Sequence, residues 1–143
     1  MFDMISLRDE FIGLIREIFA NEYDTLNSEV EIVTDENQKA SFPSCVVKII
    51  NPITDKRYVD SDDTYNIISL SLNCDLYSKE LEDFSLEDSV IMLSQILING
   101  ILKKYKNFEV TRNSEVPYRS DTKRITVTFL FDYDNKNKII YSN

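Results

Sequence analysis

The chain has no histidine among its 143 residues. Triad chemistry of the Ser-His-Asp kind and histidine-based metal sites are therefore excluded. Glycine is limited to two residues, Gly13 and Gly100, too few for a glycine-rich loop that cradles phosphate. Cysteine also numbers two, Cys45 and Cys74, isolated in the sequence. In a cytoplasmic protein such a pair reads as buried thiols rather than a disulfide framework. No apolar run is long enough to span a bilayer. The longest window, Ile96 to Leu102, is broken by Asn99 and Gly100. The opening residues, Met1-Phe2-Asp3-Met4, lack the basic n-region of a signal peptide. No internal repeat or low-complexity tract is visible.

What is present suits one ordinary domain over residues 1–143. Hydrophobic residues make up 43% and charged residues 29%, a balance expected of a folded globular chain. The length supports a core that needs no staples. The formal charge is −9, spread along the chain. Such a protein repels phosphate backbones, which argues against sequence-specific nucleic-acid binding. It is compatible with lining a passage through which DNA slides without sticking.

The best-specified element is a helix from Leu86 to Lys106. Ser85 is its N-cap, with Asp88 completing a capping box. Leu86, Val90, Leu93, Leu97, Ile101 and Tyr105 recur at spacings of three and four, one face of a helix. Glu87, Gln95, Asn99 and Lys103 fall on the other side. Acids open the helix and lysines close it, as the helix dipole favours, and Asn107 is a left-handed stop. Gly100 costs about 1 kcal/mol relative to alanine, which a close helix–sheet contact would explain.

Ahead of it, Asp3 to Glu22 reads as an amphipathic helix capped by Asp3 or Ser6. Its stripe is Leu7, Phe11, Leu14, Ile15, Ile18 and Phe19. Asn21 to Ser28 is a connection. Val30 to Val33 is a short strand. Pro43 leads into a β-branched strand, Cys45 to Ile50. Asn51 to Asp63 reads as a loop dense in aspartate. It lacks the glycine and regular oxygen spacing of an EF-hand, so it reads as solvated, and no metal site is assigned.

Tyr65 to Tyr77 alternates with period two: Ile68, Leu70, Leu72, Cys74 and Leu76 against Ser69, Ser71, Asn73 and Asp75. That pattern marks a sheet with one buried face. Phe108 to Arg112 is a short strand, and Asn113 to Thr122 a loop containing Pro117. Ile125, Val127, Phe129, Phe131 and Tyr133 alternate with Arg124, Thr126, Thr128 and Asp132 in a second long strand. After a turn at Asp134 to Asn137, Ile139 to Tyr141 returns. The order α–β–β–β–α–β–β–β predicts an α+β fold, a mostly antiparallel sheet with two helices packed on one face.

No catalytic set emerges, so an enzyme is not expected and no cofactor is assigned. The carboxylates Glu80, Glu82, Asp83, Glu87 and Asp88 suit the start of a helix without any acid–base role. The polar positions Ser69, Ser71, Asn73, Thr126 and Thr128 would form one wet surface if their strands are neighbours. An ordinary solvated face accounts for them. So does a face that contacts identical subunits or borders a lumen, because hydroxyls can pair across such a contact. Tyr58 and Tyr118, near strand ends or in loops, suit either a partner contact or the edge of the core.

Several features together resemble the tail terminator, or tail completion, proteins of long-tailed bacteriophages and phage tail-like particles. One is the amphipathic N-terminal helix followed by the Pro-led strand Phe42-Pro43-Ser44-Cys45-Val46-Val47. Another is the alternating strand ending Asp75-Leu76-Tyr77-Ser78, with an acidic link into a long helix. A third is the short strand Phe108-Glu109-Val110. The last is Arg124-Ile125-Thr126-Val127-Thr128-Phe129-Leu130-Phe131-Asp132-Tyr133 running on through Ile140-Tyr141. The loop from Asn51 to Asp63 has no counterpart in the resemblance, which is one of layout.

The resemblance implies a structural subunit of a ring, usually a hexamer, that caps a tail tube, stops its polymerisation and offers the docking surface for the neck. It implies no catalysis and no cofactor. The implied partners are further copies of the chain, the tail tube protein and, where a head exists, a head–tail connector or neck protein. DNA would be met only in passing, and no membrane is involved. Assembly would take place in the host cytoplasm, and the product would be a virion or tail-like particle. The alternatives are a head–tail adaptor of the neck and an acidic inhibitor or regulatory protein that mimics nucleic acid.

Overall fold

A computed structural model describes residues 4–35, 43–59, 65–105, 108–113, 115–119, 121–134 and 139–140, with residues 50–59, 65–68 and 139 described by their backbone. Helix α1 spans Met4–Ala20 and buries Leu7, Phe11, Ile12, Ile15 and Phe19. The expected stripe is thus shifted toward Ile12, while Leu14 and Ile18 sit half-buried at its margin. Of the two expected caps, Ser6 lies inside the helix and Asp3 lies outside the described residues. The expected connection that follows contains a one-turn helix, α2, at Tyr23–Leu26. Asn27 ends it in the left-handed conformation, φ 50°, which asparagine tolerates better than most residues.

Strand β1 (Glu31–Val33) pairs in parallel with the start of β2 (Ser44–Val59). β2 pairs antiparallel with β3 (Tyr65–Lys79), and β3 with β6 (Thr122–Asp134). Three short strands line the other side of β6 end to end. β5 (Val116–Arg119) meets its start, β4 (Glu109–Arg112) its middle and β7 (Ile139–Ile140) its end. Among the described residues these seven strands form one sheet. The fold is α+β, with α1 and α3 (Leu86–Lys104) on one face of a mostly antiparallel sheet.

Two expected loops are strand instead. Residues 51–59 continue β2, and residues 60–63 of the expected loop lie outside the described residues. The β2–β3 register shifts between Ile50 and Ile53, the interval holding Pro52, and again between Asp55 and Val59. Proline has no N–H to give a ladder, and a bulge is where a strand tolerates it. The same reasoning covers Pro117, which sits in the short edge strand β5 beside another register shift. Both prolines hid strands that long-range pairing supports.

α3 follows its expected course. The Ser85 hydroxyl accepts from the Asp88 N–H at 3.2 Å, worth about 1 kcal/mol as a cap. Val90, Leu93, Leu97 and Ile101 are buried, and Glu87, Gln95, Asn99 and Lys103 are exposed. Two buried serines share the sheet side. Ser89 donates to the Ser85 carbonyl at 2.8 Å and accepts from the Leu81 N–H at 3.1 Å. Ser94 donates to the Ile91 carbonyl at 2.7 Å and accepts from Arg112 Nη1 at 3.2 Å. The helix ends at Tyr105 in extended conformation. The expected stop, Asn107, lies outside the described residues.

The explanation expected for Gly100 is corrected. A Cβ there would stand 2.7 Å from the Ile18 side chain, so the close approach is between α3 and α1, not between helix and sheet. Beneath the helices, β2 contributes Cys45, Val47 and Ile49, β3 Leu70, Leu72, Cys74 and Leu76, and β6 Ile125, Val127, Phe129, Phe131 and Tyr133. At one end an aromatic cluster joins the layers. Phe108 packs on Phe131 at 5.0 Å and on Phe129 at 5.7 Å, and Phe11 on Phe131 at 5.4 Å. Each such pair adds about 0.5–1.5 kcal/mol beyond its buried area.

Candidate functional site: the open face of the sheet

β3 and β6 each send alternate side chains away from the helices. The register sets Ser69 opposite Asp132, Ser71 opposite Leu130, Asn73 opposite Thr128, Asp75 opposite Thr126 and Tyr77 opposite Arg124. Ser69, Ser71, Asn73, Thr126 and Thr128 therefore share one surface, and each is half-buried. Long-range pairing of two distant segments creates that surface.

The hydroxyls of Thr126, Thr128 and Ser69 are engaged within the chain. Thr126 Oγ1 donates to Asp75 Oδ1 at 2.6 Å, Thr128 Oγ1 to Asn73 Oδ1 at 2.9 Å, and Ser69 Oγ to Asp132 Oδ1 at 3.1 Å. Cross-strand pairs of this kind contribute about 0.2–1 kcal/mol each. They also hold both partners in one rotamer. The outcome is a stiff polar ladder in which hydroxyl protons point at carboxylate and amide oxygens.

In the middle of this ladder stands Leu130, 39% exposed. Its neighbours across the strands are Ser71 on β3 and Glu109 on β4. The sequence reading passed over Leu130, although its parity with Thr126 and Thr128 was the available signal. At the far end Tyr77 is buried and meets Tyr118 of β5 edge-on at 4.8 Å. The Arg119 guanidinium lies 5.2 Å from the centre of the Tyr118 ring. Tyr118 is thus half-buried at the rim of the face, packed against its own sheet. The Tyr58 side chain lies outside the described residues, while its backbone belongs to β2.

The opposite side of the molecule carries a groove of about 740 Å³ between α1 and α3. Leu14, Ile18, Met92 and Ile96 form its floor, with Glu17 and Lys103 among its rim residues. Among the described residues no three His, Cys, Asp or Glu side chains gather to hold a metal. Among them, too, no helix is long and apolar enough to cross a membrane. Cys45 and Cys74 are both buried in the core as free thiols. Hydrogen bonding with its neighbour Cys74, and then burial, pushes the Cys45 thiol well above its ordinary range, so it stays protonated and unreactive. Glu115, at the surface, is lowered chiefly by its own backbone N–H and then by a hydrogen bond with Glu87.

No protein-family model matches the chain, and no curated protein proves similar to it.

Proposed function

We propose that the chain is a structural subunit of a homo-oligomeric ring that caps a phage or phage-like tail tube and offers a docking surface to the neck. The observation that carries the reading is the stiff polar ladder on the open face of β3 and β6, with Leu130 at its centre. A side chain already held in one rotamer loses little entropy when a partner covers it. An apolar centre ringed by polar groups is also the arrangement in which protein contacts concentrate their affinity. The layout of helices and strands, which resembles that of tail terminators, supplies the choice of assembly.

In this reading the contacts are made with further copies of the chain, with the tail tube protein and with a connector or neck protein. The formal charge of −9 suits a subunit near DNA that must pass without binding. Light scattering on the size-separated protein, alone and with its tail tube protein, tests the proposal. A defined oligomer, or one formed on the tube ends together with shortened tubes, is the expected result. A protein that stays monomeric in both settings and leaves tube length unchanged would overturn it.

A further inference from the structure

We propose that the groove between α1 and α3 is half of a four-helix bundle, completed by the same groove of a second copy lying antiparallel across a twofold axis. The two helices run in opposite directions. Phe11 meets Tyr105 with ring centres 5.9 Å apart, while Ile18, further along α1, meets Gly100, earlier in α3. Leu14 therefore lies at the end of the groove that carries Lys103 and Lys104, and Glu22 toward the end that carries Met92. An antiparallel helix pair closes a bundle when its shared apolar side faces that of another pair. Here Leu14, Ile18, Met92 and Ile96 form that side, and each is only half-buried in the single chain.

Charge decides the occupant. Both lysines are exposed, and among the described residues neither stands in an ion pair. Glu22 accepts a hydrogen bond from Thr25 Oγ1 at 2.9 Å, which holds its carboxylate at the other end. The groove is thus basic at one end and acidic toward the other. A twofold axis across the helices turns the second copy end for end, so that Lys103 and Lys104 of each copy face Glu22 of the other. The same operation brings Leu14 of one copy toward Met92 of the other, and Ile18 toward Ile96. A parallel arrangement would set lysine against lysine, which opposes association. Helices of 17 and 19 residues are about 25–28 Å long. Set about 8–10 Å apart, such a pair presents on the order of 500–600 Å² to its partner, the size of a weak, concentration-dependent contact. The bundle leaves the open faces of both sheets uncovered, so it does not rest on the ring proposed above.

Analytical ultracentrifugation of the full chain carrying Ser71→Trp, which blocks the open face, tests the helix contact apart from the ring. A dimer with a Kd on the order of 10 μM is expected. Adding Glu22→Lys lowers the net negative charge, which by itself eases association. It should nonetheless weaken the dimer about ten-fold, because it sets like charges together at both ends of the bundle. Lys103→Glu with Lys104→Glu should weaken it to a similar degree. All three reversals in one chain should restore it, since the two ends again carry opposite signs. These side chains lie outside the core, so the variants stay folded and the comparison reads association alone. A protein still monomeric at about 100 μM, a dimer indifferent to the reversals, or a triple variant no tighter than its parents would each overturn the bundle. A wild-type dimer that never assembles on tube ends would overturn the ring and leave the bundle standing.

Discussion

The two faces of the β3–β6 ladder share one backbone and one register yet do opposite work. On the covered face Leu72, Cys74, Val127 and Phe129 are fully buried under α1 and α3. On the open face, residues one step away along the same strands, Ser71, Asn73, Thr126 and Thr128, are half-buried, and Asn73, Thr126 and Thr128 are tied across the strands. The covered face holds the fold together through apolar area, at about 25 cal/mol per Å². The open face contributes little area and keeps its polar groups paired. A change of given size should therefore unfold the protein on one side and leave it folded on the other.

The largest effect belongs to the covered face. Phe129→Ala removes a ring that is 0% exposed and packs on Phe108, and should cost about 3–5 kcal/mol in urea unfolding. A cost below about 1 kcal/mol would mean that the aromatic end of the core is not closed.

Gly100→Ala comes next. Helix propensity favours alanine by about 1 kcal/mol, but its Cβ would stand 2.7 Å from Ile18. Net destabilisation of about 1–2 kcal/mol is expected, and the same change should cost less in an Ile18→Ala background, which lacks all three carbons that crowd the site. Equal costs in the two backgrounds would show that the two helices do not meet there.

The pH response sharpens the same contrast, since it arises from a covered-face thiol. Cys45 keeps its proton in the fold, held by Cys74 and by burial, whereas the unfolded chain releases it above about pH 8.5. This contribution to stability is complete below the unfolded value and is lost as pH rises above it, at up to about 1.4 kcal/mol per pH unit. Urea midpoints between pH 7 and about 10 should fall more steeply for the reduced protein than for Cys45→Ala.

The smallest effect on stability belongs to the open face. Ser71→Trp adds bulk beside Leu130, where the neighbouring strand leaves that leucine exposed. It should shift unfolding by under about 0.5 kcal/mol while disrupting oligomer or tube-end assembly. An unfolded variant would show that this face is packed, and normal assembly would remove it from the contact surface.

Much of this architecture could be read from local pattern. The alternation through Ile68 to Tyr77 and through Arg124 to Tyr133 announces two half-buried strands. The cap at Ser85 and the stripe from Val90 to Ile101 announce α3 with its buried side. These signals are local because side-chain direction repeats every two residues in a strand and every 3.6 in a helix.

The candidate surface was legible in composition, since its polar positions share a parity, but its arrangement was not. Two segments some fifty residues apart had to pair before Thr126 could reach Asp75, and pairing consumed the hydroxyls of Ser69, Thr126 and Thr128, which sequence alone left open to a partner. Leu130, at the centre, follows from parity but stands out only once Ser71 and Glu109 flank it.

By itself, then, the sequence determined the class of fold, the two long strands with their inner and outer sides, and both main helices. Tertiary structure alone decided that Pro52 and Pro117 lie within strands, that Gly100 admits Ile18 of α1, and that Cys45 and Cys74 fall diagonally across adjacent strands. It also decided that β5, β4 and β7 share one side of β6. Each of these depends on which distant segment comes alongside. A proline can be accommodated, a glycine required or two thiols set on one face only by neighbours that periodicity does not name.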